Sequence, residues 1–215
     1  MTDGPQTRVH LVRHGEVENP DKVLYGRRPG YHLSALGRQM ADRVAEWAAD
    51  RDVAVVVASP LERAQETAAP VAAVLGLTVD SDARLIEAAN HFEGLQFGVG
   101  DGSLRHPRHW RYLVNPLRPS WGEPYQHIAA RVLGAVADAR ERAQGREAVL
   151  VSHQLPIWVT RLYLEGHRLW HDPRKRECSL ASVTTLTYVG RDLLSVTYSE
   201  PAADLLPAAS KVAGA

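Results

Sequence analysis

An arginine, a histidine and a glycine in series, Arg13-His14-Gly15-Glu16, follow the apolar run Val9-His10-Leu11-Val12. The run predicts a β-strand, and the ligands of an open α/β sheet bind outside the carboxyl ends of its strands. A glycine directly after the histidine would let the backbone approach an anion closely. The tetrapeptide is therefore typical of phosphoryl-transfer chemistry, with a buried histidine beside a surface arginine as the alternative.

A second histidine, His153, ends another apolar strand-like run at 148–152. A third run, 53–58, leads into Ser59-Pro60-Leu61-Glu62-Arg63, where the serine can cap a helix and the proline suits its first turn. The arginine would then lie near a helix N-terminus, whose free N–H groups and partial positive charge favour anions. These three strand ends indicate a phosphate site.

Through these motifs the chain resembles the histidine phosphatase superfamily, the phosphoglycerate mutase-like proteins. The matching segments occur in the family's order and are Arg13-His14-Gly15-Glu16, Ser59-Pro60-Leu61-Glu62-Arg63-Ala64-Gln65-Glu66-Thr67-Ala68 and Val151-Ser152-His153. The resemblance covers most of the chain and is weakest between 90 and 125. It implies one histidine that becomes phosphorylated, His14, and three residues that hold the phosphoryl group, Arg13, Arg63 and His153.

The family's proton donor is a glutamate that closes an Arg-Leu-x-Glu pattern. In this chain the pattern falls on Arg84-Leu85-Ile86-Glu87, and Glu93 in Phe92-Glu93-Gly94 is the rival assignment. One carboxyl group can protonate the leaving alkoxide and then take a proton from the water that cleaves the phosphohistidine. Burial or a nearby phosphate would have to raise the pKa of Glu87 above its ordinary value of about 4.3.

The residue types suit phosphoryl transfer. The transferring group carries charge on its equatorial oxygens, and arginines such as Arg13 and Arg63 supply permanently charged, planar donors for them. A neutral imidazole, His14, can attack phosphorus in line and divide one hard displacement into two easier ones. The other histidine, His153, is expected to act as an imidazolium that donates to the phosphoryl oxygens.

Three departures from the family pattern concern the substrate. Many members place an asparagine six residues after the nucleophile, where this chain has Pro20, and Asn19 is the nearest candidate for holding phosphate. Many also have glycine after the second histidine, where Gln154 stands and is expected to reach into the pocket. The Arg-Arg pair with which the familiar mutases fix a substrate carboxylate has no clean match between 87 and 125, which argues against mutase activity.

Two structural alternatives remain open. Glu62 and Glu66 lie one helical turn apart beside Arg63, so an intrahelical ion pair could occupy that arginine. The remaining histidines suggest a metal site, but no Cys-x-x-Cys or His-Glu-x-x-His spacing is present. We expect neither a metal nor an organic cofactor.

The segment 91–125 is expected to form a cap over the pocket. It contains Trp110, Tyr112 and Trp121 interleaved with Arg105, Arg108, Arg111 and Arg118. A lid would select the part of the substrate beyond its phosphate, whereas a plain insertion would only pack its aromatic side chains on the core. We expect no nucleic-acid partner, because the formal net charge is +0 and the pI is about 7.2.

The 215 residues, 45% of them hydrophobic, suffice for one core, so we expect one domain over 1–200 and a loosely held tail over 201–215. The chain has one cysteine, Cys178, and its start lacks a signal-peptide pattern. No apolar run approaches the roughly 20 residues of a membrane span. These features indicate a cytoplasmic protein without a membrane partner.

Strands at about 8–13, 53–58 and 147–152 alternate with helices that begin near Ser34, Ser59 and Tyr125. The alternation predicts an α/β fold, a three-layer α/β/α sandwich with a mostly parallel sheet of the phosphoglycerate mutase-like kind. Runs at 182–188 and 193–198 flank a turn and predict a hairpin that adds an antiparallel edge.

The resulting prediction is a histidine acid phosphatase-type enzyme that hydrolyses a small phosphomonoester, a phosphorylated metabolite, through a phosphohistidine on His14. One alternative is a phosphoglycerate-type mutase, which returns the phosphoryl group to a second substrate oxygen. The other is a phosphate-ester-binding module without turnover. The family resemblance also suggests a homodimer.

Overall fold

Six strands form one mixed sheet in the computed structural model, which describes residues 4–94 and 122–209. The strands are β1 (Gln6–Arg13), β2 (Val53–Ala58), β3 (Val79–Ser81), β4 (Glu147–Ser152), β5 (Val183–Val189) and β6 (Asp192–Ser199). The helices are α1 (Ala35–Ala48), α2 (Glu62–Leu75), α3 (Tyr125–Ala143) and α4 (Gln154–Leu164). Most of the cap predicted at 91–125, with its three aromatic residues and four arginines, lies outside the described residues.

The strand order in the sheet is β3-β2-β4-β1-β5-β6. The first four of these strands are parallel, whereas β5 pairs antiparallel with β1 and β6 pairs antiparallel with β5. The predicted antiparallel edge is thus confirmed. Because β2, β4 and β1 are neighbours, the residues that follow them lie side by side at one edge of the sheet.

Within the described residues, two helices cover each face of the sheet, which confirms the three-layer sandwich. One core lies beneath α1 and α2 and includes Met40, Val44, Val71 and Val149. The second lies beneath α3 and α4 and includes Val132, Ile157, Leu11 and Leu150. Alternate residues of the parallel strands enter opposite cores, since successive strand side chains point to opposite faces.

Ser34 caps α1 as its position before the helix predicts, because its Oγ accepts a hydrogen bond from the Gly37 backbone N–H at 2.9 Å. The helix expected to begin near Ser59 starts later, at Glu62. Ser59 therefore does not cap α2, and Pro60 precedes its first turn. The serine side chain is used in the candidate site instead.

The tail predicted to be loosely held differs over 201–209. Ala202 is buried, and Leu205, Leu206 and Ala209 pack against the core beneath α1 and α2. The alanine- and proline-rich composition conceals these contacts because they depend on tertiary packing. Within 4–94 and 122–209, none of the helices combines the length and the hydropathy that a membrane span requires.

Candidate active site

Three adjacent parallel strands deliver His14, Ser59 and His153 to one edge of the sheet. Each of these residues directly follows its strand, β1, β2 or β4. The backbone N–H of His14 donates to Ser152 O at 3.1 Å, and that of Ser59 donates to Val151 O at 2.9 Å. The centroids of the two imidazole rings lie 5.1 Å apart. The convergence that the strand ends predict is therefore present in the fold.

Most buried polar atoms without a hydrogen-bond partner lie on the predicted site residues. The described residues contain nine such side-chain atoms, and six of them are Arg13 Nε, His14 Nε2, Arg63 Nε, Arg63 Nη1, Glu87 Oε2 and His153 Nδ1. Leaving a buried donor or acceptor unpaired costs about 1–3 kcal/mol each. Such a concentration is typical of a site whose ligand supplies the missing partners.

The ring of His14 is oriented for nucleophilic attack. Its Nδ1 donates to Gly15 O at 2.7 Å, which assigns the proton to Nδ1 and leaves a lone pair on Nε2. Burial, followed by the charges of Arg63 and Arg13, holds the pKa of His14 well below its usual range. The imidazole is therefore neutral at physiological pH.

Ser59 orients the second histidine. Its Oγ lies 2.8 Å from His153 Nε2 and accepts from the Leu61 backbone N–H at 3.4 Å. The hydroxyl is thus free to donate to Nε2, which assigns the His153 proton to the unpartnered Nδ1. Burial, followed by the charge of Arg63, lowers the pKa of His153 well below its usual range. Instead of the expected imidazolium, the ring is therefore a neutral imidazole that can donate through Nδ1.

Two arginines present unpaired N–H groups to the site. Arg63 is fully buried, donates from Nη2 to Gly26 O at 2.6 Å, and lies 4.7 Å from the ring centroid of Tyr25. Arg13 donates from Nη1 to Cys178 O at 2.7 Å. One backbone carbonyl therefore anchors each guanidinium, and other N–H groups stay available for an anion.

The alternative partners of Arg63 are engaged elsewhere. Glu62 accepts from the Gly30 backbone N–H at 3.0 Å, and Glu66 accepts from the Leu33 backbone N–H at 2.7 Å. Glu66 also pairs with His32. The intrahelical ion pair considered from the sequence is thus absent among the described residues.

Glu87 lies beside these groups and is 3% exposed. Its Oε1 accepts from the Ala88 backbone N–H at 2.7 Å, and burial raises its pKa above the ordinary value. Arg27 Nε donates to the Glu87 carbonyl at 2.6 Å, which fixes the backbone. The rival Glu93 uses its Oε1 to accept from the Asn90 backbone N–H at 3.1 Å. Of these two glutamates, Glu87 alone has a buried carboxyl oxygen without a hydrogen-bond partner.

Asn19 and Gln154 have uses other than the predicted phosphate contact. Asn19 closes its own loop, since its Nδ2 donates to Val23 O and its Oδ1 accepts from the Val23 N–H. Gln154 Nε2 donates to Cys178 O at 3.3 Å, and its Oε1 accepts from Arg176 Nη1 at 3.2 Å. Asn19, one residue away from the family's position, lies at a turn. Gln154 hydrogen-bonds Arg176, an arginine that no sequence motif marks.

Gly15 serves a different purpose from the one the sequence predicts. A Cβ at Gly15 would lie 2.4 Å from Gly37 O, and a Cβ at Gly37 would lie 1.9 Å from Glu16 O. The pair of glycines therefore lets the loop after β1 cross the start of α1 at backbone contact. Thr67 Oγ1 accepts from the Gly15 N–H at 3.1 Å and fixes the same loop to α2.

Neither Arg176 nor the hydrogen bond between Ser59 and His153 is predictable from the sequence motifs. Arg176 lies in the irregular connection between α4 and β5, where no motif marks it. Its guanidinium is within electrostatic range of Glu87 and Arg13, so it lies near the site. Among residues 4–94 and 122–209, no group of three or more histidine, cysteine or carboxylate side chains is arranged to hold a metal ion.

Comparison with known proteins agrees with this geometry. The model of the histidine phosphatase superfamily (branch 1) matches residues 9–200. Protein Rv0525 of Mycobacterium tuberculosis is 61% identical over 198 residues, 92% of this chain and 98% of that protein. The probable phosphoglycerate mutase GpmB of Citrobacter koseri is 32% identical over 188 residues, 82% of this chain and 84% of that protein.

A solved structure extends the comparison to the fold. The mycobacterial glucosyl-3-phosphoglycerate phosphatase Rv2419c is 27% identical and superposes with a TM-score of 0.70. The match covers 90% of this chain and 96% of that one.

Proposed function

The chain belongs to the histidine phosphatase superfamily, and from that membership we propose that it is a phosphatase which hydrolyses a small phosphomonoester through a phosphohistidine on His14. The cluster of unpartnered buried atoms on Arg13, His14, Arg63, Glu87 and His153 carries the proposal. A phosphoryl group offers acceptor oxygens to the arginines and to His153 Nδ1, and an electrophile to His14 Nε2. No other ligand class suits that donor set as well.

In the first step, His14 Nε2 forms a bond to phosphorus while the bond from phosphorus to the ester oxygen breaks. The leaving oxygen takes the proton of Glu87, whose raised pKa favours the protonated carboxyl group. Arg13 and Arg63 neutralise the charge that develops on the equatorial oxygens. The products of this step are the free alcohol and a phosphohistidine.

In the second step, a water oxygen attacks phosphorus and gives its proton to the Glu87 carboxylate. The phosphorus–nitrogen bond breaks, and its electron pair returns to His14 Nε2. The sum is ester and water converted to alcohol and phosphate, with every side chain restored. We place this reaction in the cytoplasm and require no metal for it.

Mutase activity is the second candidate because one relative, 32% identical, bears the name of a probable phosphoglycerate mutase. The phosphatase is favoured because the sequence has no clean match to the arginine pair that fixes the carboxylate in the familiar mutases. The 27% identical solved relative, named a glucosyl-3-phosphoglycerate phosphatase, supports the same choice. Isomerisation of 3-phosphoglycerate without release of phosphate would support the mutase.

The test measures phosphate release from a panel of phosphomonoesters with EDTA present, for wild type, His14→Ala and His167→Ala. The last variant is the control, because His167 is an exposed histidine. Wild type and the control are expected to release phosphate, and His14→Ala is expected to lose more than about 10³-fold in kcat. Rapid quenching in alkaline denaturant, in which phosphohistidine survives, should show labelled phosphate on wild type and on His167→Ala but not on His14→Ala. Equal rates for all three proteins would overturn the proposal.

A further inference from the structure

The guanidinium of Arg176 lies beside the site and has no carboxylate partner among the described residues. Its Nε donates to His171 Nε2 at 2.9 Å and its Nη1 donates to Gln154 Oε1 at 3.2 Å. Both partners are neutral acceptors, and within the described part of the chain no acidic group lies at ion-pair distance from it. Arg174, two residues away, does pair, with Asp172 at 2.8 Å. Arg176 thus differs from its neighbour in keeping an uncompensated charge.

The side chain is held in a fixed orientation. His171 Nδ1 donates to Leu169 O at 2.7 Å, so that its Nε2 is left as an acceptor for Arg176. Burial lowers the pKa of His171, which keeps this ring neutral. The ring lies between Tyr125 and Trp158, at centroid distances of 5.6 and 6.1 Å. Helix α3, helix α4 and the connection after α4 therefore converge to hold one guanidinium.

A shared carbonyl joins Arg176 to the phosphate clamp. Cys178 O accepts from Arg13 Nη1 at 2.7 Å and from Gln154 Nε2 at 3.3 Å, and Gln154 in turn holds Arg176. Arg176 is also within electrostatic range of Arg13 and Glu87. Arg176 is accordingly linked to the phosphate clamp through Gln154 and Cys178 O and lies near the leaving group's proton donor.

The positive charge at the pocket exceeds the negative charge of a phosphomonoester. Such an ester carries about −1.5 to −2 at pH 7, which Arg13 and Arg63 balance. Glu87 is neutral in its acid form, so Arg176 leaves a surplus positive charge. Desolvating a cation without a partner is costly, and an anionic ligand group would remove that cost.

We infer that Arg176 binds a second anionic group of the substrate, a carboxylate or a second phosphate on the leaving alcohol, with Gln154 and His171 as the residues that position it. This inference rests on the proposed function for the phosphate half of the site. It assigns substrate selection to the connection between α4 and β5, and the preferred substrates are phosphomonoesters with an additional negative charge.

The test compares substrates that differ only in the second anion. Dissociation constants are measured by calorimetry in the His14→Ala background, so that the ester is not consumed. One pair is 3-phosphoglycerate against glycerol 3-phosphate, which replaces the carboxylate by a hydroxymethyl group. The other pair is fructose 1,6-bisphosphate against fructose 6-phosphate. In at least one pair, the ligand with the second anionic group is expected to bind about 10- to 100-fold more tightly. The pair that shows this difference tells whether the second group is a carboxylate or a phosphate.

Arg176→Gln should remove that preference and leave the affinity for the ligand without the second anion within about twofold. Arg176→Lys, which keeps the charge but lacks the planar fork, should retain part of it. Arg174→Gln is the matched control on the same segment and should change neither affinity. A purely structural role for Arg176 would lower both affinities together.

The inference is overturned if neither pair shows a preference that depends on Arg176, or if Arg176→Gln weakens both members of each pair equally. Phosphate release by the protein with His14 intact is measured in parallel. Absence of release from every ester would end the proposed function, while the binding comparison would still decide the role of Arg176.

Discussion

The side chains of this site combine neutral bases with permanent cations in a buried setting. His14 and His153 are both fully buried beside Arg63, and burial together with the arginine charges disfavours their protonation. The same burial acts in the opposite direction on Glu87, whose pKa is raised. The same buried environment thus favours a neutral imidazole at His14, the nucleophile, and a protonated carboxyl group at Glu87, the acid.

Replacing Glu87 by glutamine removes the proton donor and keeps the shape of the side chain. With an alkyl phosphate, whose leaving group needs a proton, kcat is expected to fall about 10²- to 10⁴-fold. With p-nitrophenyl phosphate, whose leaving group departs as an anion, formation of the phosphohistidine should fall far less, as a rapid-quench burst would show. Glu93→Gln is the matched control for the rival glutamate. Equal losses on both esters would remove Glu87 from the role of acid.

Site residues that belong to sequence motifs are predictable from the sequence, whereas site residues outside the motifs are not. His14 and His153 are predictable because each directly follows a recognisable strand, and Arg63 is predictable because it lies in the motif that opens the helix after β2. Arg176 is not, because it is brought to the pocket by an irregular connection and by its hydrogen bonds to Gln154 and His171. Asn19 is a related case, because its amide hydrogen-bonds the backbone of Val23 within its own loop, and sequence alone does not reveal these bonds.

The loop that presents His14 depends on the element against which it packs. At the crossing of this loop with α1, Gly15 and Gly37 meet at backbone contact, because a Cβ on either residue would lie within 2.4 Å of a carbonyl oxygen. The helix cap joins the same contact, since Ser34 Oγ donates to Glu16 Oε2 at 2.5 Å. Helix α1 therefore positions the nucleophile without touching the substrate.

Gly37→Ala should lift the loop from α1, with a loss of about 1–3 kcal/mol in unfolding free energy and a fall in kcat. Gly134→Ala is the matched control within α3, where a Cβ would meet only Arg84 side-chain atoms at 3.4 Å or more. The control should gain about 0.4–1 kcal/mol, because alanine restricts the unfolded chain. Chemical denaturation and steady-state kinetics measure both quantities. Equal stabilities for the two variants would contradict this account of the crossing.

Elements were predictable where hydrophobic periodicity was strong. Strands β2 and β4 occupy the predicted segments, and the antiparallel hairpin of β5 and β6 was expected at one edge. The start of α2 was wrong by three residues, because Ser59 uses its hydroxyl on His153 instead of on a helix N-terminus. A tertiary partner on another strand competes with the local cap, and sequence alone does not reveal such a partner.

The whole molecule is expected to lose stability in mild acid because of its buried histidines. In the unfolded chain a histidine has a pKa of about 6.5, whereas those of His10, His14 and His153 are lowered in the folded protein. Below pH 6.5 the unfolded chain therefore binds more protons, and unfolding free energy falls as pH decreases. The loss amounts to at most about 1.4 kcal/mol per histidine and pH unit.

His14→Gln should flatten this decline between pH 6.5 and 5 by up to one proton, measured from denaturant unfolding at several pH values. His167→Gln, at an exposed position, is the control and should keep the wild-type slope. The comparison isolates His14 from Glu87, whose raised pKa changes stability in the opposite direction and is common to all three proteins. A wild-type slope in His14→Gln would show that the buried ring takes up a proton in the folded state.

The stereochemical course at phosphorus tests the phosphohistidine pathway most directly. Each in-line displacement inverts phosphorus, so attack by His14 followed by attack by water gives net retention. The measurement uses a monoester of thiophosphate whose two non-bridging oxygens are different isotopes, turned over in water that carries the third isotope, so that the released thiophosphate is chiral. Retention in the released thiophosphate is the predicted result, whereas inversion would mean direct attack by water and would contradict the role assigned to His14.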